Sequence, residues 1–228
     1  MGLLTPEFWL AALQIVYINI LLSGDNAVVI ALACRELPKR QRRWGVFWGA
    51  AGAIVLRIIL TIFAVTLLAL PWLKLIGGML LLWIGAKLIT DEDGDEPGVA
   101  ASDRLWAAVR TVIIADLVMS VDNVLGVAAA AKGSVPLLVF GLLVSIPLVI
   151  AGSQIILKLI ERFPLIILAG GGLLGWIAGK MLVEDAALTP WISAHAPWLE
   201  WAGPIAGVAI VLAGAQWQKR RAVPADRR

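Results

Sequence analysis

Two strongly apolar segments of this chain carry the same polar interruption, Ser23-Gly24-Asp25-Asn26 in one and Ser120-Val121-Asp122-Asn123 in the other. A carboxylate near the middle of a membrane-length helix costs roughly 2.5 to 3.5 kcal/mol on insertion scales, so a chain that places one in each of two related segments is expected to use them. The premise that these segments cross a membrane rests on composition. Of 228 residues, 61% are hydrophobic and only 15% charged, too apolar for a soluble domain. Spanning a hydrocarbon core of about 30 Å takes about 20 apolar residues. Seven such windows are read here: Leu10 to Ala33, Trp44 to Leu70, Trp72 to Ile89, Leu105 to Ala131, Val135 to Leu159, Leu165 to Val183, and Trp201 to Trp217. The last is short and has Pro204 near its start. Met1 to Trp9 has no Lys or Arg and contains Glu7, so it lacks the basic region of a cleaved signal peptide, and the first span is expected to stay in the protein.

Basic residues set the expected orientation, because Lys and Arg of short loops gather on the cytoplasmic side. With the N-terminus outside and the C-terminus inside, fifteen of the 19 Lys and Arg fall in cytoplasmic segments or at their helix ends, among them Arg35, Lys39, Arg40, Arg42 and Arg43. Lys74, Lys132 and Lys180 fall outside, and Arg57 is left inside a span. The net charge of +3 is therefore a topology signal, not a nucleic-acid footprint. Trp44, Trp72, Trp106, Trp198, Trp201 and Trp217 lie near span ends, where interfacial tryptophans belong.

The duplication extends beyond the motifs. Asn19, Ser23, Asp25 and Asn26 match Asp116, Ser120, Asp122 and Asn123 at a constant offset of 97. Leu75-Ile76-Gly77-Gly78 with Trp83-Ile84 and Lys87 matches Leu168-Ala169-Gly170-Gly171 with Trp176-Ile177 and Lys180 at an offset of 93. Each repeat holds three spans, and an odd number makes the second copy enter the membrane from the opposite side. The expected fold is all-α, a polytopic membrane protein of seven transmembrane helices with two inverted three-helix repeats plus one extra C-terminal helix. It is read as one transmembrane domain over residues 1–228: first repeat 8–90, acidic cytoplasmic linker 91–104, second repeat 105–185, then outer loop, seventh helix and basic tail 186–228. Inverted repeats are a recurring architecture of secondary transporters, with the site near the midplane where the copies meet. The seventh span is read as a packing or assembly element, which leaves a homo-oligomer open.

Within each first span the polar residues form a stripe, Asn19, Ser23, Asn26 and Asp116, Ser120, Asn123, both spaced i, i+4, i+7. On an ideal helix Asp25 and Asp122 lie off those stripes. Gly24 predicts an interruption that swings Asp25 and Asn26 toward one cavity; Val121 stands at the equivalent place in the second copy. Glycines including Gly49, Gly52, Gly77, Gly78, Gly170, Gly171 and Gly172 would allow close helix approach. Oxygen ligands from Asp and Asn suit hard divalent cations such as manganese, calcium or magnesium, and the absence of suitably placed His and Cys argues against zinc and copper. Asp25, Asp116 and Asp122 would neutralise a divalent ion with one charge to spare, which Arg57 could hold when the site is empty. The plain alternative for the motifs is an interhelical hydrogen-bond clamp; for Arg57 it is snorkelling to an interface.

At these residues the chain resembles the TerC family of integral membrane proteins, most closely its YjbE-type branch. The segments LLSGDNAVVIALA and ADLVMSVDNVLGVAAA carry the resemblance, which runs from about Val16 to Asp185. It implies manganese(II) export from the bacterial cytoplasm across the inner membrane. It also implies a metal site of Asp25, Asn26, Asp122 and Asn123, joined by Asp116, with Asn19, Ser23, Ser120 and Arg57 as secondary candidates. Manganese is then substrate, with no permanent cofactor expected, and the choice of manganese over other hard cations rests on the resemblance.

Other features carry less. Asp91-Glu92-Asp93-Gly94-Asp95-Glu96 has Glu96 and Ser102 where a calcium loop needs Gly and Glu, and is read as a solvated linker. Cys34 is the only cysteine and His195 the only histidine. No phosphate-cradling GxxxxGK loop is present, so nucleotide hydrolysis by the chain itself is not expected, and inward protons are the expected driving partner. Among rivals, an intramembrane aspartyl protease would also need two carboxylates, but its GxGD signature is missing, Leu22 standing three residues before Asp25. A structural membrane assembly partner is the second rival.

Overall fold

The computed structural model describes residues 9–10, 13, 16–17, 24–63, 70–90, 101–131 and 135–222, with the side chains of 122–131 and 218–222 and a few near residue 137 outside that description. The described residues form eight helices and no strand: α1 (Gly24–Cys34), α2 (Lys39–Ile62), α3 (Leu73–Thr90), α4 (Ala101–Ala131), α5 (Val135–Arg162), α6 (Leu165–Val183), α7 (Thr189–His195) and α8 (Leu199–Ala222). Five of them, α2, α3, α5, α6 and α8, are long and apolar enough to cross a membrane. α4 has 31 residues and carries the second Asp-Asn pair. The protein is thus an all-helical, multi-pass membrane protein, and the outward display of Val55, Ile59, Ile155, Leu165 and Ile210 against an interior holding Arg57, Asp116, Ser120 and Ser153 is what a lipid solvent selects.

Several boundaries differ from the sequence expectation. α2 starts at Lys39, directly after Pro38, whose fixed φ suits a helix entry, and ends at Ile62, earlier than Leu70. α8 is longer than its predicted span, because Pro204 removes one N–H near the helix start without ending it. The seven-residue helix α7, about two turns long with Pro190 in its first turn, was not foreseen between the sixth and seventh spans.

The chain divides into two compact units that cut across the three-span repeats. Residues 1–70 and 99–158 form the first, holding α1, α2, α4 and most of α5; residues 71–98 and 159–228 form the second, holding α3, α6, α7 and α8. The first two spans of each proposed repeat therefore share one unit, and the third span of each shares the other with the seventh.

In the first unit α2 and α4 run parallel, Gly45 meeting Leu105, Gly49 meeting Val112 and Gly52 meeting Ile113. A β-carbon at Gly49 would lie 3.1 Å from Val112 Cγ1, and one at Gly52 would lie 2.6 Å from Ile113 Cδ1. Glycine at i, i+4 and i+7 lets these backbones close in, which carries Arg57, further along α2, to Asp116 on α4. The α1–α2 connection is fastened by Arg42, whose Nη2 donates to the Arg35 carbonyl at 2.7 Å and whose Nε donates to the Leu37 carbonyl at 2.9 Å.

In the second unit α3 and α6 run antiparallel, Gly78 meeting Leu182 and Gly85 meeting Leu174, so the third spans of the two repeats point in opposite directions. α6 and α8 pack backbone to backbone through Gly175 and Gly179 against Gly207 and Gly203. A β-carbon at Gly175 would lie 2.6 Å from the Gly207 carbonyl oxygen, and one at Gly179 would overlap the Gly203 carbonyl. Asp185, fully buried in the loop after α6, accepts N–H bonds from Trp72 and Leu75 at 3.1 Å and from Ala187 at 2.9 Å. It satisfies amides at the start of α3 that the helix cannot, and fixes Trp72 in the left-handed region at φ 70°.

Candidate metal centre

Three buried polar residues of the first unit, Arg57, Asp116 and Ser120, form one ring of hydrogen bonds. Asp116 is 4% exposed, Arg57 4% and Ser120 0%. The Arg57 guanidinium donates from Nη2 to Asp116 Oδ1 and from Nε to Ser120 Oγ at 3.1 Å. Ser120 in turn donates to Asp116 Oδ2 at 3.0 Å. Serine one helical turn after the aspartate is what closes the ring, since i and i+4 share a face. Thr61 donates its hydroxyl to the Arg57 carbonyl at 2.7 Å, one turn along α2. Two unlike charges buried with both carboxylate oxygens and two guanidinium nitrogens engaged meet the condition under which a buried pair can repay its desolvation. Arg57 lies against a carboxylate and does not reach an interface.

Asp25 stands in the first turn of α1, and its Oδ1 accepts the Asn26 backbone N–H at 2.7 Å. Its helix packs against both α4 and α2. Asn26 beside it is 6% exposed. Asp25 and Asn26 thus belong to the same helix cluster as Arg57 and Asp116. A groove of about 350 Å³ between α1 and α5, lined by Gly24, Ala27, Ser145, Val149 and Gly152, adjoins it. That groove is apolar except for Ser145, whose hydroxyl is spent on the Gly141 carbonyl at 2.9 Å.

The second motif sits differently. α4 continues as helix through Val121, Asp122 and Asn123, so its backbone is unbroken there, while the side chains of Asp122 and Asn123 lie outside the described residues. Asn19 and Ser23 lie outside them too, and the helix that carries Asp25 is described from Gly24 onward. Among the described residues no three His, Cys, Asp or Glu come together as a metal cage. Asp25 and Asp116 are the two candidate carboxylates whose placement is described.

Thr61 was not among the sequence candidates, although a hydroxyl one turn from a buried arginine was a readable signal. Asp185 was also missed, since its partners lie 110 and 113 positions away and no local pattern announces them.

The family model for the integral membrane protein TerC family matches residues 4–223. The chain belongs to the TerC family. It is 43% identical over 206 residues to the uncharacterized membrane protein YjbE of Bacillus subtilis, covering 90% of this chain and 94% of that protein. It is 30% identical over 185 residues to YceF of the same organism, another uncharacterized membrane protein, covering 77% and 72%. The UPF0053 inner membrane protein YgdQ of Escherichia coli is 25% identical over 176 residues, covering 70% and 74%. No solved structure matches this chain.

Proposed function

We propose that this TerC-family protein exports divalent metal cations, manganese(II) foremost, from the cytoplasm across a bacterial inner membrane. Asp25, Asn26, Asp122 and Asn123 bind the ion, and Asp116 contributes. The observation that carries this reading is the buried ring of Asp116, Ser120 and Arg57, in the same helix cluster as Asp25, in a protein whose outer faces are apolar. Arg57 cancels one of three aspartate charges, leaving a formal deficit that a divalent cation fills. Oxygen donors without thiolate or imidazole favour manganese, with calcium and magnesium as weaker competitors.

The chain sits with its N-terminus outside and its basic tail in the cytoplasm, an orientation supported by the fifteen-to-three distribution of basic residues. Export of a divalent cation against a negative interior costs roughly 2.3 kcal/mol per charge per 100 mV, about 4.6 kcal/mol in all. Protons moving inward supply it: carboxylates that release metal take up protons on the return, and the two inverted repeats alternate access about the site. An aspartyl protease fits less well, because its two carboxylates must face each other, whereas Asp116 is faced by a guanidinium.

Reconstitution tests this. In proteoliposomes an imposed proton gradient drives manganese against its own gradient, and Asp25→Asn and Asp122→Asn each abolish that flux at normal protein abundance. Flux that only follows the manganese gradient, indifferent to collapse of the proton gradient, means a channel or uniporter; unchanged flux in both variants removes the site.

A further inference from the structure

We propose that Arg57 is a tethered counter-cation that competes with the transported metal for Asp116, so that metal engagement and release of the Arg57–Asp116 pair are one event. This rests on the metal-site reading above and adds to it a device that sets affinity.

The pair is built for exchange of partners in one specific respect. Asp116 accepts from Arg57 at Oδ1 and from Ser120 at Oδ2, so a metal ion that engages this carboxylate must share it with, or displace, a guanidinium of like charge. The guanidinium also satisfies Ser120 Oγ from Nε, which makes the three side chains a closed unit that a single displacement opens. A divalent ion entering beside this pair repels Arg57 and attracts Asp116 at once. That is the sign required for one event.

The duplication supplies an independent observation. Arg57-Ile58-Ile59-Leu60 in α2 matches Gln154-Ile155-Ile156-Leu157 in α5 at an offset of 97, the same offset that relates the two Asp-Asn motifs. At that offset Asp116 matches Asn19. The charged pair Arg57–Asp116 thus joins the first repeat to the second, while the positions equivalent to it with the repeats exchanged, Gln154 and Asn19, are uncharged; Gln154 is exposed, and Asn19 lies outside the described residues. A bond needed only to clamp helices would serve equally well as an amide pair in both copies. Charge at only one of these two equivalent pairings breaks the symmetry of the response to a cation, and a competitor that occupies a ligand lowers apparent affinity by the fraction of sites it blocks.

The test uses the purified full-length protein with Mn²⁺ as the probe, read by calorimetric titration and by the shift in melting temperature on adding the ion. Arg57→Gln removes the competitor and frees a carboxylate, so manganese binds roughly tenfold or more tightly than to wild type. Its melting temperature also becomes strongly dependent on manganese, since the ion replaces the lost guanidinium. The double variant Arg57→Gln with Asp116→Asn, which copies the uncharged residues at the repeat-equivalent positions, loses both gains. Should Arg57→Gln fold only when Mn²⁺ is present, the proposal is equally supported, and the double variant then folds without the ion. If Arg57→Gln is destabilised but binds manganese no more tightly than wild type, with no added melting shift, the pair is a structural clamp and the proposal fails while the metal site stands. If neither wild type nor any variant binds manganese, the metal-site reading and this proposal fall together.

Discussion

The two units hold their helices together by opposite means. In the first, α2 and α4 close over a glycine stripe but then bury charge, the Arg57–Asp116–Ser120 ring, in the middle of an apolar protein. In the second, α6 and α8 meet backbone to backbone at Gly175, Gly179, Gly203 and Gly207, and the one fully buried carboxylate among its described residues, Asp185, serves a loop. Glycine contacts gain van der Waals energy in lipid with no polar group to desolvate, the cheaper way to join two membrane helices. That the first unit uses the costlier way points to a task there beyond cohesion.

The sharpest way to break this comparison is at the glycines. Gly207→Leu drives a branched side chain into the Gly175 carbonyl, and the account expects loss of the folded protein from the membrane, measured as abundance and monodispersity after extraction. Survival of Gly207→Leu with an unchanged melting temperature would mean that α6 and α8 do not pack this closely. The next effect belongs to the first unit. Asp116→Leu strands the Arg57 guanidinium, with an expected cost of about 3–5 kcal/mol, read from thermal denaturation in detergent. A loss below about 1 kcal/mol would show that water or another group already satisfies Arg57, since an exposed pair contributes no more than that.

Asp185 gives a smaller effect with a definite pH sign. Burial pushes its carboxyl up, but the backbone N–H groups of Ala187, Leu75 and Trp72 outweigh burial and hold it below the usual carboxylate range. A lowered folded-state value contributes stability that is full above the unfolded value of about 4 and is lost as pH falls through the lowered value. Asp185→Ala is therefore expected to cost about 1–3 kcal/mol at neutral pH, and the difference from wild type shrinks as the solution is acidified. A constant difference down to strong acid would contradict the hydrogen-bonded carboxylate. Gly24→Ala is the smallest: nothing lies within 4 Å of a β-carbon there, so stability is expected to stay within about 0.5 kcal/mol. A larger loss would assign Gly24 a conformation that only glycine adopts.

Much of this was legible in the sequence, for identifiable reasons. The spans were readable because hydrocarbon tolerates few charges, and the polar stripe Asp116, Ser120 was readable because i and i+4 share a face; the ring now joins those two residues. Partner choice was not readable. α3 and α6 are apolar nearly all round, so no amphipathic face announces which helices they join, and the grouping of third spans with α8 emerges only in three dimensions. Gly203 and Gly207 could be seen as small residues four apart, but the match to Gly175 and Gly179 depends on the antiparallel register that the α7 connection allows. Arg57 was visible as an oddity, whereas its partner 59 positions away was a matter of helix packing.

The central claim is that the costly polar centre of the first unit exists to bind a divalent cation. The most direct test is electron paramagnetic resonance of Mn²⁺ mixed with purified protein, in which the aqueous ion's signal disappears as the ion is bound. The account predicts stoichiometric loss of that signal with wild type and a free-ion spectrum with Asp25→Asn at equal folded protein. The same spectrum for both, whether bound or free, would contradict it.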